Sequence, residues 1–170
     1  MFRSIKTVNH PQLLRVAALL GAALFLLILI STLIFPLPLG LADNHDYWRL
    51  MDPFGLAYPD ASGAYYYAHI SLVFIKSLPW HIEIVSSGAL FVGLAYGITW
   101  VLQWPVFPLL MLGLVHCIFY TWAYYLFIKN ADYKTFFSVI IFSVISLLFL
   151  SDILFTAYFN SFYQESATFI

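Results

Sequence analysis

Residues Leu13 to Phe35, LLRVAALLGAALFLLILISTLIF, carry no charge after Arg15. The stretch exceeds the roughly 20 apolar residues that a helix needs to cross a bilayer. This segment reads as a transmembrane helix and sets the class of the whole chain. Arg3, Lys6 and Arg15 precede or open it, so a cleaved signal peptide with a basic start is one reading. The apolar run is longer than the core of such a peptide, and Phe35-Pro36-Leu37-Pro38-Leu39-Gly40 offers no small-x-small cleavage site. An uncleaved signal anchor is the favoured reading, with the N-terminus cytoplasmic because the basic residues come first.

The rest of the composition agrees. Of 170 residues, 63% are hydrophobic, 20% aromatic and 9% charged, with a mean hydropathy of +0.91, well outside the range of water-soluble domains. Seven Lys and Arg against eight Asp and Glu give a net charge of -1, and the cations are scattered, which excludes a nucleic-acid surface. Cys117 is the single cysteine, so neither an intramolecular disulfide nor a thiolate metal cage can form within one chain. Its apolar neighbours make it a packing residue.

Residues 36-83 form a long polar and aromatic connection, extracytoplasmic if the N-terminus is inside. Asp52-Pro53-Phe54-Gly55 and Tyr58-Pro59-Asp60-Ala61-Ser62-Gly63 are turn signals. Ala64 to Leu78 is aromatic and apolar with His69 and Lys76, the pattern of a helix lying along the membrane surface. Three apolar segments follow, Ile84 to Trp104, Val106 to Ile128 and Phe136 to Phe155. If all cross, the chain has four transmembrane helices, but Lys129 and Lys134 then fall outside, against the positive-inside rule. If Ile84 to Trp104 lies at the interface or re-enters, and Trp104-Pro105 turns the chain into the next span, both lysines become cytoplasmic. The favoured expectation is therefore an all-α integral membrane domain over residues 1-170, with three transmembrane helices and one interfacial or re-entrant helix; four spans is the alternative. The close at Ala167-Thr168-Phe169-Ile170, without a polar tail, reads as the N-terminal part of a longer chain.

Two polar clusters could carry chemistry: Asp43-Asn44-His45-Asp46-Tyr47-Trp48-Arg49, and Asp152 with Tyr158-Phe159-Asn160-Ser161-Phe162-Tyr163-Gln164-Glu165. Asp43 and Asp46 are three residues apart, and Arg49 continues the spacing. On a helical turn this presents two carboxylates beside a guanidinium. The carboxylates could share a divalent cation or divide base and orienting roles, while the guanidinium suits phosphate; a solvated capping turn with an internal ion pair is the plainer reading. Asp152, near the end of an apolar helix, is either functional or snorkels to the interface. His45, His69 and His81 lack metal-ligand spacing. His116, inside a span, is most simply hydrogen-bonded within the bundle. Tyr65-Tyr66-Tyr67, Tyr124-Tyr125 and most tryptophans read as interfacial belts, whereas Tyr47, Trp48, Tyr158 and Tyr163 flank the acidic clusters, where rings could stack on a sugar.

The order of these features resembles the N-terminal module of GT-C glycosyltransferases. The two clusters, with Ala42 before the first, resemble the paired motifs of bacterial polytopic hexosyltransferases of surface-glycan assembly, in which a Gly often stands where His45 and Gln164 stand here. The resemblance implies an enzyme of the bacterial cytoplasmic membrane that takes sugar from a polyprenyl-phosphate donor and passes it, with inversion, to a glycan or protein outside. By the same analogy Asp43 or Asp46 is the general base, and Arg49 binds the lipid phosphate. Asp152 and Glu165 complete the acidic cleft or hold Mg or Mn, and Tyr47, Trp48, Tyr158 and Asn160 join the substrate contacts. Two other functions fit the composition: a non-catalytic membrane subunit whose polar loops dock a partner, and a transporter or ion-conducting component that uses Asp152 and His116 as titrating groups within the membrane.

Overall fold

The computed structural model describes residues 11-34, 47-59, 73-76, 87-130, 136-152 and 156-162. Its elements run α1 (Pro11–Ile34), α2 (Trp48–Met51), a 3-10 turn η1 (Asp52–Phe54), β1 (Leu56–Ala57), β2 (Val73–Lys76), α3 (Ser87–Val101), β3 (Val106–Pro108), α4 (Leu109–Asn130), α5 (Phe136–Leu150) and a second 3-10 turn η2 (Ala157–Asn160). Within α1 and α4, Arg15–Ile34 and Leu109–Asn130 are long and apolar enough to cross a membrane; α3 and α5 are shorter apolar helices.

α1 and α4 form the central pair. Ala18, Ala22, Phe25, Leu29 and Leu33 of α1 recur every three or four residues and are all buried, the spacing of one helix face. They join Cys117, Tyr120, Tyr124 and Ile128 of α4 in one cluster. The Phe25 ring lies 5.4 Å from Tyr120 and 4.5 Å from Tyr124, and Gly21 of α1 faces the Tyr124 ring. Positions later in α1 thus meet positions earlier in α4, so the helices run antiparallel. α5 folds back along α4: Tyr124 donates its hydroxyl to the Ser143 carbonyl at 3.2 Å, and Phe127 meets Phe142 at 5.2 Å. The outward faces stay apolar, with Leu20, Leu24 and Leu27 of α1 and Ile145, Leu148 and Phe149 of α5 more than half exposed. Helices that are apolar all round are at home in hydrocarbon.

The structure corrects the expectation of a purely α-helical chain. A three-stranded antiparallel sheet, order β1-β2-β3, pairs Leu56 with Lys76, and Val73, Phe74 and Ile75 with Pro108, Phe107 and Val106. Within Ala64 to Leu78, read from the sequence as a surface helix, the described residues Val73–Lys76 form a strand. Apolar content suggested the helix, but exposure alternates along Val73-Phe74-Ile75, a period of two that a strand satisfies and a helix does not. Phe74 and Phe107 are directly opposed and fully buried, the kind of aromatic cross-strand pair that stabilises a sheet. The span expected from Val106 is likewise helical only from Leu109. Pro105 and Pro108 disfavour helical backbone at Trp104 and Phe107 and hold the intervening chain extended.

α3 packs one face inward through Gly88, Phe91, Val92, Ala95 and Thr99, leaving Leu90, Leu94, Ile98, Trp100 and Val101 exposed. It ends in a Schellman turn: the Trp104 amide donates to the Thr99 carbonyl at 2.9 Å and the Gln103 amide to the Trp100 carbonyl at 3.0 Å, with Gln103 left-handed at φ 55°. The turn expected at Trp104-Pro105 is therefore built by Gln103, a residue that carries the Cβ cost glycine would avoid. The Asp52 to Gly55 turn also stands as read, a 3-10 turn closed by Gly55 at φ 59°.

Candidate functional site

The sheet, α2, η1, η2 and the start of α4 gather around one aromatic hub. Phe162, with no exposed surface, lies 4.9 Å edge-on to Phe74, 5.4 Å edge-on to Tyr47 and 5.7 Å from Phe107. Tyr96 of α3 continues the array, 6.4 Å from Phe107 and 5.9 Å from Phe54. Edge-to-face rings at these separations gain quadrupolar attraction beyond the area they bury. Tyr47 belongs to the first polar cluster and Phe162 to the second, so this contact brings together segments separated by more than a hundred positions.

Tyr47 opens α2, its carbonyl accepting the amides of Leu50 at 3.0 Å and Met51 at 2.9 Å. The turn buries Tyr47, Leu50 and Met51 and leaves Trp48 and Arg49 exposed. The Tyr47 ring thus packs on Phe162, and among the described residues of the first cluster Trp48 and Arg49 face outward. Asp43, Asp46 and Glu165 lie outside the described residues. So do His45, His69, His81 and Tyr163.

Asp152 follows the end of α5 and is exposed; its carbonyl accepts the Thr156 amide at 3.1 Å. Tyr158, half-buried, and Asn160 lie in η2, and the Ser161 hydroxyl donates back to the Tyr158 carbonyl. Among the described residues no group of three His, Cys, Asp or Glu side chains is placed to hold a metal. Cys117 is fully buried in the α1–α4 cluster, the packing role read from its neighbours.

Two features were not legible. Phe162 stood in the second cluster as one aromatic among several; only its three ring neighbours make it the hub. Lys76 stood in a segment read as a helix. In the strand it donates its ammonium to the Trp104 carbonyl at 3.0 Å and sits 5.0 Å from the centroid of the Tyr96 ring, and burial lowers its pKa from the ordinary 10.5.

Apolar antiparallel helices carrying a polar and aromatic cap at one end define an integral membrane domain, one in contact with the lipid bilayer. The family model described as the YfdI N-terminal transmembrane domain matches residues 3–170, and the chain belongs to that family. No curated protein and no solved structure matches it significantly.

Proposed function

We propose that this domain is the N-terminal module of a membrane glycosyltransferase that moves a sugar from a polyprenyl-phosphate donor to an acceptor outside the bacterial cytoplasmic membrane. The observation that carries the reading is the Tyr47–Phe162 contact at 5.4 Å. It joins described residues of the two polar clusters, which resemble the paired motifs of such enzymes, and in this reading a lipid-linked donor meets both clusters there. Trp48 and Arg49 face outward there, as stacking on a sugar and pairing with a lipid phosphate would require. In this reading Asp43 or Asp46 deprotonates the acceptor hydroxyl, an ordinary general-base step, while Tyr158, Asn160 and Glu165 line the donor side. Asp152 completes the acidic rim, and a divalent cation there would depend on carboxylates brought in from beyond α5.

The strand pairing supports three spans rather than four. Ile75 pairs with Val106, and Lys76 bonds to Trp104, so the chain leaves the sheet at β2 and returns to it at β3, with α3 in between. Four spans would put these two strands on opposite sides of the bilayer. With α1, α4 and α5 as the spans, the N-terminus and the Lys129 link are cytoplasmic, and both clusters are outside.

The test is transfer of radiolabelled sugar from polyprenyl-phosphate donors in membranes carrying the native protein. Asp43→Ala and Asp46→Ala, each checked for unchanged insertion, are compared with the parent. Loss of transfer in at least one supports the assignment. Full activity in both variants overturns it.

A further inference from the structure

His116 is 1% exposed in the middle of an apolar helix, and its Nδ1 lies 3.0 Å from the Phe159 carbonyl. A carbonyl oxygen only accepts, so Nδ1 carries the proton. Leu112, one turn earlier in α4, supplies a second backbone partner. The ring is held between Phe91 of α3, 4.9 Å away, and Phe159 of η2, 5.6 Å away and nearly parallel. One side chain thus joins three elements.

η2 is only four residues long, too short to be stable by itself. It is held at two points. Phe159 is clamped by His116 and, edge-on at 5.0 Å, by Tyr120, while Phe162 docks into the Tyr47–Phe74–Phe107 hub. The Phe159 carbonyl lies near the end of the turn, where helical backbone acceptors lack partners of their own. Burying it without a donor would be costly. The imidazole supplies that donor, and it does so from the spanning helix against which α1 packs.

We propose that His116 is a positioning residue, an Nδ1–H latch on the Phe159 carbonyl that fixes the second polar cluster against the first. Its functional consequence rests on the composite-site reading above; the docking itself does not. With the latch broken, Thr156 to Phe162 separates from α4, and Phe162 no longer stays seated on Tyr47.

Two partly isosteric replacements separate this role from simple bulk. In His116→Asn the side-chain amide nitrogen falls close to the place of Nδ1 and can still donate; in His116→Gln it reaches to the place of Nε2 and cannot do so in the same geometry. The measurement is backbone hydrogen exchange of the native protein in lipid nanodiscs, followed over Thr156–Phe162. Exchange there is expected to rise about tenfold or more in His116→Gln and to stay within about threefold of the parent in His116→Asn, with the α1–α4 amides unchanged in both. Equal protection in Asn and Gln variants, at the level of the parent or lost in both, overturns the latch. Sugar transfer is read alongside: kcat is expected to fall in His116→Gln and be restored in His116→Asn. If neither parent nor variant transfers sugar, the enzymatic reading fails while the exchange data still decide the latch.

Discussion

Replacing Phe162 by alanine removes the ring that three others surround. Phe162 has no exposed surface, and its neighbours Tyr47, Phe74 and Phe107 are equally enclosed, at 1%, 0% and 0%. Truncating a fully buried Phe costs about 3 to 5 kcal/mol, less where the cavity can collapse, and each edge-on aromatic pair contributes about 0.5 to 1.5 kcal/mol within that total. The sheet is short and its strands can shift inward, so about 3 kcal/mol is expected. At about 1.4 kcal/mol per tenfold, this corresponds to roughly a hundredfold faster exchange of the amides of Val73–Lys76, Val106 and Phe107. The helix pair, whose contacts run through Phe25, Tyr120 and Tyr124, should keep its protection. A double-mutant cycle of Phe162→Leu with Tyr47→Leu, read by urea unfolding in mild detergent, should return a coupling of about 0.5 to 1.5 kcal/mol. A coupling indistinguishable from zero, or exchange in the strands unchanged by Phe162→Ala, would refute the claim that this ring joins the two clusters.

Three other outcomes follow from separate parts of the molecule. A Cβ at Gly21 would meet the Tyr124 hydroxyl at 3.5 Å, an ordinary contact, so Gly21→Ala should alter stability by no more than about 1 kcal/mol; Gly21→Leu should force the helices apart and lower the thermal midpoint in detergent, and an unchanged midpoint would show that α1 does not pack there. Burial lowers the pKa of Lys76 below 10.5, so between its folded and unfolded values the unfolded chain holds more protons, and this residue's contribution to stability rises with pH. Lys76→Met should abolish that alkaline rise in a thermal scan, and an identical pH profile in both proteins would contradict the assignment. Alkaline phosphatase fused after Gln103 should be as active as a fusion after Asp60, because the sheet returns the chain to the side it left; an inactive Gln103 fusion beside an active Asp60 fusion would restore the four-span threading.

The apolar run Leu13 to Phe35 determined by itself that this is a membrane protein, because the length and hydrophobicity of one helix suffice to favour the bilayer. Pro, Gly and Asp at residues 52-55 likewise declared their turn, since the constraint lies in those residues' own backbones. Cys117 and His116 were read correctly as buried members of the bundle, a consequence of their apolar flanks. The sheet was not legible. Val73-Phe74-Ile75-Lys76 is too short for its period to outweigh the aromatic composition around it, and it becomes a strand through partners at residues 56-57 and 106-108 that no local pattern announces. The meeting of Tyr47 with Phe162, and the choice of Phe159 as the acceptor for His116, were also decided by tertiary structure. Each is a contact across a long stretch of chain, fixed by which helix faces pack together, and composition and spacing hold no information about that choice.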